Sequence, residues 1–195
     1  MSATLNADRV SAFIACDDPA GPAPVIDCPG RVFPVETSYR PLSGSTRWEG
    51  EFADLVAGLL PKAGGDVLAF LPGVREIERV AARLATLLRD GPEVLPLHGS
   101  LPLERQQAVL RLRDPAAGRR VVLATSIAET SLTVPGITLV VDAGWARTAE
   151  LHHAPGLERL VTSRVSTSSA DQRRGRAGRL GPGRCVRAWK ENEPL

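Results

Sequence analysis

The eight residues from Gln172 to Arg179 read Gln-Arg-Arg-Gly-Arg-Ala-Gly-Arg and hold the densest potential for chemistry in the chain. If helical, Gln172, Arg176 and Arg179 fall four and then three residues apart and share one face. Two guanidiniums and an amide side by side make a cluster of planar donors suited to a polyphosphate. Gly175 and Gly178 among them weaken a helix by about 1 kcal/mol each relative to Ala and would let a partner's backbone come close. The same residues also read as a generic Arg/Gly patch for nucleic acid. A second segment, Ala124 to Thr133, bears hydroxyls at Thr125, Ser126, Thr130, Ser131 and Thr133. After a strand, such a run suits contacts with a phosphate backbone, and taken alone it also fits a capped loop. His98 reads as structural. His152 and His153 are adjacent, so their side chains diverge, and no metal site is expected.

The composition narrows the partners. The chain has 195 residues and is 43% hydrophobic, enough for one compact domain or one domain with a small addition. No run approaches the roughly 18 apolar residues of a membrane span, and Asp8 and Arg9 interrupt any apolar core of a leader peptide. Cys16, Cys28 and Cys185 are odd in number and lack metal-type pairing, which predicts reduced thiols in the cytoplasm. Net charge is only +2, yet nine arginines face three acids between Arg147 and Arg187. The rest of the chain is therefore acidic, and the basic third marks an anion-facing surface.

These groups need elements to hold them. Val10, Phe13 and Ile14 recur at helical spacing behind Asn6, a residue type that caps helices. Asp17 to Pro34 is rich in Pro, Gly and Asp and reads as a linker. Three helices are predicted from apolar residues at Trp48–Leu60, Val74–Leu88 and Pro102–Leu112, the last with Pro in its first turn. Asp66–Leu71, Val94–Leu97, Val121–Ala124 and Ile137–Val141 predict buried strands. Strands and helices alternating at this pitch predict an α/β fold, a parallel sheet with helices on both faces. Between Gly144 and Ser166 the pattern changes, and two stretches flanking Ala154-Pro155-Gly156 predict a β-hairpin projecting from the sheet. Ser166 to Gly178 permits a helix and Arg184–Trp189 a closing strand.

The Gln172–Arg179 segment resembles motif VI of superfamily-two helicases, and Ala124–Thr133 resembles motif V of their DEAH-box branch. Leu68–Gly73 is similar to motif IV, His98–Pro102 to the strand-end loop that follows it, and Ser2-Ala3-Thr4 to motif III. The stretch Gly156–Thr162 with Arg164-Val165-Ser166 looks closest to the bacterial HrpB branch. The resemblance covers nearly the whole chain and identifies it as a member of the DEAH-box ATP-dependent RNA helicases. It implies a RecA-like second domain over residues 35–195, preceded in 1–34 by the end of a first RecA-like domain and a linker. It implies that Gln172, Arg176 and Arg179 reach the γ-phosphate of ATP, the arginines acting on charge that develops in phosphoryl transfer. Ser2 and Thr4 would belong to the segment that couples hydrolysis to unwinding. Thr130 with Thr125 beside it, Ser100 and Gly73 would meet the backbone of single-stranded RNA, DNA being the alternative. The implied partner is the first RecA-like domain of the same protein, and the implied cofactors are ATP and Mg²⁺, the ligands of Mg²⁺ lying outside this chain. The sequence departs from the family pattern at Ser126, commonly Asn, and at Pro135, often an acid that helps hold the ribose.

A phosphate-cradling loop needs Gly-x-x-x-x-Gly-Lys-Ser/Thr. The two lysines, Lys62 before Ala63 and Lys190 before Glu191, stand in no such setting, and no Asp-Glu-x-His segment occurs. The sequence thus supplies one wall of an ATP site. Two rivals stand beside this reading: a nucleic-acid-binding module without motor activity, and a protein-translocating motor of the same fold, against which the motif V residues argue.

Overall fold

The computed structural model describes residues 6–15, 21–27, 33–89, 91–112, 114, 118–129, 132–152, 157–193 and 195. The chain divides into two units, Met1–Val32 and Phe33–Leu195. In the first, helix α1 spans Ala7–Ile14, and the Asn6 side chain accepts the Arg9 amide at 3.0 Å, satisfying one of the first-turn donors. The expected helix is present with its expected cap, while Phe13 and Ile14 stand exposed.

The second unit holds strands β1 (Val35–Tyr39), β2 (Asp66–Phe70), β3 (Glu93–Leu97), β4 (Arg120–Ala124), β5 (Ile137–Asp142), β6 (Trp145–His152), β7 (Leu157–Arg164) and β8 (Gly183–Arg187). Six of them form one parallel sheet in the order β1-β8-β5-β2-β4-β3. Strands β6 and β7 pair antiparallel as the predicted hairpin. The helices are α2 (Trp48–Leu59), α3 (Val74–Leu87), α4 (Leu103–Leu110) and α5 (Thr167–Gly175). Helix α4 is shorter than its apolar pattern predicts, and Pro102 caps it rather than lying in its first turn.

Alternation along each strand divides the core in two. Val67, Ala69 and Leu71 face Phe52 and Val56 of α2 and Ile77, Val80 and Leu84 of α3. Leu68 and Phe70 point the other way, toward Val109 of α4, Ala128 and Ala177. Burial on both faces is why β4 and β5 read as mostly apolar runs rich in β-branched residues rather than as alternating ones. Edge strand β1 was not expected. Its sequence, Val-Glu-Thr-Ser-Tyr, alternates half-buried with exposed residues and offers no apolar run.

Arg120, fully buried at the start of β4, ties three segments together. Its Nε lies 2.6 Å from Asp66 Oδ2, while Nη1 and Nη2 donate to the carbonyls of Val109 and Pro135 at 2.7 and 3.0 Å. Breaking a buried pair by removing one partner costs about 3–5 kcal/mol. With a single acid involved, Arg120→Ala is expected to cost about 3 kcal/mol, read as a fall in the urea midpoint at unchanged slope. An unchanged midpoint would remove Arg120 from this role. Cys185 is buried on β8, and desolvation pushes its thiol up to about 12, so at neutral pH it is protonated and a poor nucleophile. Cys16 and Cys28 lie outside the described residues.

Candidate functional site

Two segments cross the second face of the sheet side by side. One leaves the C-terminal end of β4 at Thr125 and reaches the start of β5, where the Gly136 carbonyl accepts the Asp66 amide at 3.0 Å. The other is α5 with the turn after it, running toward the start of β8. Ser166 caps α5 by accepting the Ser169 amide at 3.2 Å. Three arginines join the segments like rungs. Arg173 donates from Nε to Glu129 at 2.6 Å, Arg176 from Nη1 to the Leu132 carbonyl at 2.8 Å, and Arg179 from Nη1 to Thr133 Oγ1 at 2.5 Å.

Arg173 is wholly buried and anchors the assembly. Besides Glu129 it reaches Asp142 Oδ1 at 2.8 Å and the Trp145 carbonyl at 3.3 Å, and its guanidinium lies 4.9 Å above the Phe70 ring. The geometric reading of Gln172–Arg179 did not single it out. A signal existed: Ala170, Arg173 and Ala177 recur at three and four residues, a buried stripe in which an arginine must meet acids.

The motif is not one regular helix. Helix α5 stops at Gly175, Arg176–Gly178 form a 3₁₀ turn, and Arg179 follows it. Gln172, Arg176 and Arg179 therefore do not share a single α-helical face. One of the two glycines departs from expectation. A Cβ at Gly178 would meet the Phe33 carbonyl oxygen and Val35 Cγ2 at 2.7 Å each, so the backbone that comes close belongs to this chain. Gly178 O accepts the Phe33 amide at 3.1 Å, which ties the motif to the entry of β1. Nothing lies within 4 Å of the corresponding point at Gly175.

The end of the motif concentrates positive charge. Arg176 is 5% exposed, and desolvation, helped by the like charge of Arg179, depresses its pKa to about 10. Glu129 works against this shift but is already engaged by Arg173. At neutral pH the Arg176 guanidinium therefore stays charged, and Arg179 beside it is exposed. Gln172 is half-buried, and its side chain makes no hydrogen bond among the described residues. An anion placed beside Arg179 would relieve this repulsion, which makes the pair fit a phosphate group.

The strand-end residues gather elsewhere. Ser100 is exposed in the turn after β3, Thr125 is half-buried after β4 with its amide on the Leu97 carbonyl at 3.2 Å, and Gly73 begins α3 after β2. These three strands are neighbours, so the residues line one rim at the carboxyl ends, where open α/β sheets bind ligands. Gly73 is buried: a Cβ there would stand 2.4 Å from Arg147 Nη1. Arg147, on β6, pairs with Glu76 at 2.9 Å and brings a cation to the rim that had not been expected. The rim and the arginine pair are the two ends of the Thr125–Gly136 crossing. Ser2, Thr4 and Thr130 lie outside the described residues. Among the described residues, no three His, Cys, Asp or Glu side chains group to hold a metal ion, and no helix is long and apolar enough to cross a membrane.

Known proteins match this architecture. The model of the helicase conserved C-terminal domain matches residues 51–181. The ATP-dependent RNA helicase HrpB of Escherichia coli K12 is 46% identical over 183 residues, covering 94% of this chain and 22% of that protein. The pre-mRNA-splicing factor ATP-dependent RNA helicase prp22 of Schizosaccharomyces pombe is 37% identical over 198 residues, covering 98% of this chain and 16% of the relative. A crystal structure of the E. coli DExH-box NTPase HrpB superposes with a TM-score of 0.83 at 44% identity, over 98% of this chain and 23% of the crystallised one. The chain thus spans less than a quarter of the length of these relatives.

Proposed function

Because the chain belongs to the helicase conserved C-terminal domain family, we propose that it is the C-terminal motor half of an ATP-dependent RNA helicase. In this reading residues 35–195 form the second RecA-like domain and 1–34 the end of the first with its linker. The observation that carries the reading is the buried Arg176 held beside the exposed Arg179, on a ladder that fixes both against the motif V segment. Arg179 and Arg176, with Gln172, face the γ-phosphate and stabilise charge that appears only in the transition state. When bound, ATP would supply the transferable phosphoryl group and Mg²⁺ would offset its negative charge; nothing in the described chain is assigned to the metal. Ser2 and Thr4 belong to the coupling segment, and the cytoplasm is the place of action.

Thr125, Ser100, Thr130 and the Gly73 turn meet the backbone of single-stranded RNA. Hydroxyls and backbone amides on phosphates hold register without reading bases. Binding by the 195-residue chain is therefore expected to be nearly independent of sequence. Its logarithm should fall linearly with the logarithm of salt, with a slope of about −0.7 per phosphate contacted. Thr125→Ala should weaken unrelated single strands alike. A filter-binding series across salt decides: indifference to salt, or strong preference for one sequence, removes the backbone-tracking reading. The purified chain is also expected to show no ATP turnover above background, because the phosphate-cradling lysine and the Asp-Glu-x-His acids are missing from its sequence. Steady-state hydrolysis that survives removal of contaminating ATPases would refute this.

A further inference from the structure

The chain has only three tryptophans and one tyrosine, and they collect at one place. Trp48 begins α2, Trp145 begins β6, and Trp189 follows β8, so all three lie beyond the carboxyl ends of the parallel strands. Tyr39, at the end of β1, meets Trp189 edge-on at 6.4 Å. The tryptophans, with Leu42 and Arg164, line an open cavity of about 240 Å³. Arg164 lies 4.9 Å over Trp145 and 5.3 Å over Trp189, braced by Glu193 at 3.2 Å. The segments that resemble motifs III, IV, V and VI contribute no residue to it.

Trp189 is 2% exposed and belongs to the core, but Trp48 and Trp145 are only partly buried and face the cavity. Its volume is below the roughly 300–1,000 Å³ of sites for drug-sized ligands, so it suits a single ring system. Aromatic walls with a guanidinium and Lys190 at the edge fit a planar, electron-rich ring attached to an anion. The cavity opens on the same carboxyl-end rim as Gly73, Ser100 and Thr125, on the β5-β8-β1 half of the sheet. We propose that this cavity takes one nucleobase of the single strand whose backbone the rim holds, stacked on tryptophan beside Arg164. This rests on the RNA-backbone reading above. Every base has a π-face, so the contact adds affinity without sequence preference.

The test uses the 195-residue chain, in which excitation at about 295 nm reaches only these tryptophans and not Tyr39. A 12-nucleotide single-stranded RNA is titrated beside a strand of the same length and charge that is abasic throughout. The intact strand is expected to quench tryptophan emission and to bind about 5- to 140-fold more tightly than the abasic strand, the range of one stacked base. Trp145→Ala should bring the intact strand down to the abasic affinity and leave the abasic strand unchanged. Should that variant lose its folded circular dichroism, Trp48→Ala carries the same comparison. Equal affinities for the two strands with no quenching overturn the base site while leaving the backbone reading in place. Failure of both strands to bind overturns the backbone reading itself, and the base site with it.

Discussion

In a complete protein carrying both motor domains, Arg179→Ala is expected to slow ATP turnover by about 10³- to 10⁵-fold. Arg179 is exposed, and its anchor among the described residues is the Thr133 hydroxyl, so it can move onto an anion without breaking a buried ion pair. Arg176 lies deeper and is held by the Leu132 carbonyl, which suits it to a fixed positive wall. A group whose charge matters chiefly in the transition state lowers turnover when removed and leaves ground-state binding mostly intact. Single-turnover rates and equilibrium nucleotide binding, measured on the same preparation, separate the two effects. Equal turnover in variant and parent would contradict the assignment, as would a loss confined to nucleotide affinity. Because Arg179 is exposed, its thermal unfolding should match the parent's, which guards against a trivial loss of fold.

Arg173→Ala should act through the opposite route, lowering stability by about 5 kcal/mol, the upper end for a broken buried pair. Two carboxylates depend on this guanidinium, Asp142 at 1% and Glu129 at 13% side-chain exposure, and both would be left buried without their partner. A loss of that size is a large part of a domain's usual 5–15 kcal/mol. The triple variant Arg173→Met with Glu129→Gln and Asp142→Asn removes the stranded charges and should recover a substantial part of the loss. Urea midpoints of parent, single and triple variants provide the test. A single variant within about 0.5 kcal/mol of the parent, the range of ordinary surface substitutions, would show that the buried cluster does not hold the two crossing segments.

Local patterns made much of this architecture readable. The runs Val121–Ala124 and Ile137–Val141 are buried on both faces and lie in the chain as short, mostly apolar stretches rich in β-branched residues. Arg176 and Arg179 could be grouped from spacing because neighbours in sequence stay neighbours in space. The contacts that position them are long-range: Arg173 meets Glu129 across 44 residues and Arg147 meets Glu76 across 71. No periodicity encodes such meetings. The parallel edge strand β1 escaped notice because half of it faces away from the core. Gly178 shows the same limit: its lack of a side chain is explained by Phe33, far back in the chain, and could not be traced there from the motif alone.

The Arg147–Glu76 pair has a mechanical consequence. Arg147 lies near the root of the hairpin, opposite Thr162, and grips the first turn of α3 over Gly73. The ribbon is therefore clamped at its base to the helix that leaves the central strand β2. Strands of eight residues extend about 27 Å. Measured from the clamp at Arg147, the five residues on to His152 make a lever of about 17 Å, which converts a tilt of about 10° into a sweep of about 3 Å. A small turn of α3 against the sheet is thus passed outward through this ion pair, against the root's other anchors, the bond from Arg173 to the Trp145 carbonyl and the Arg164–Glu193 pair.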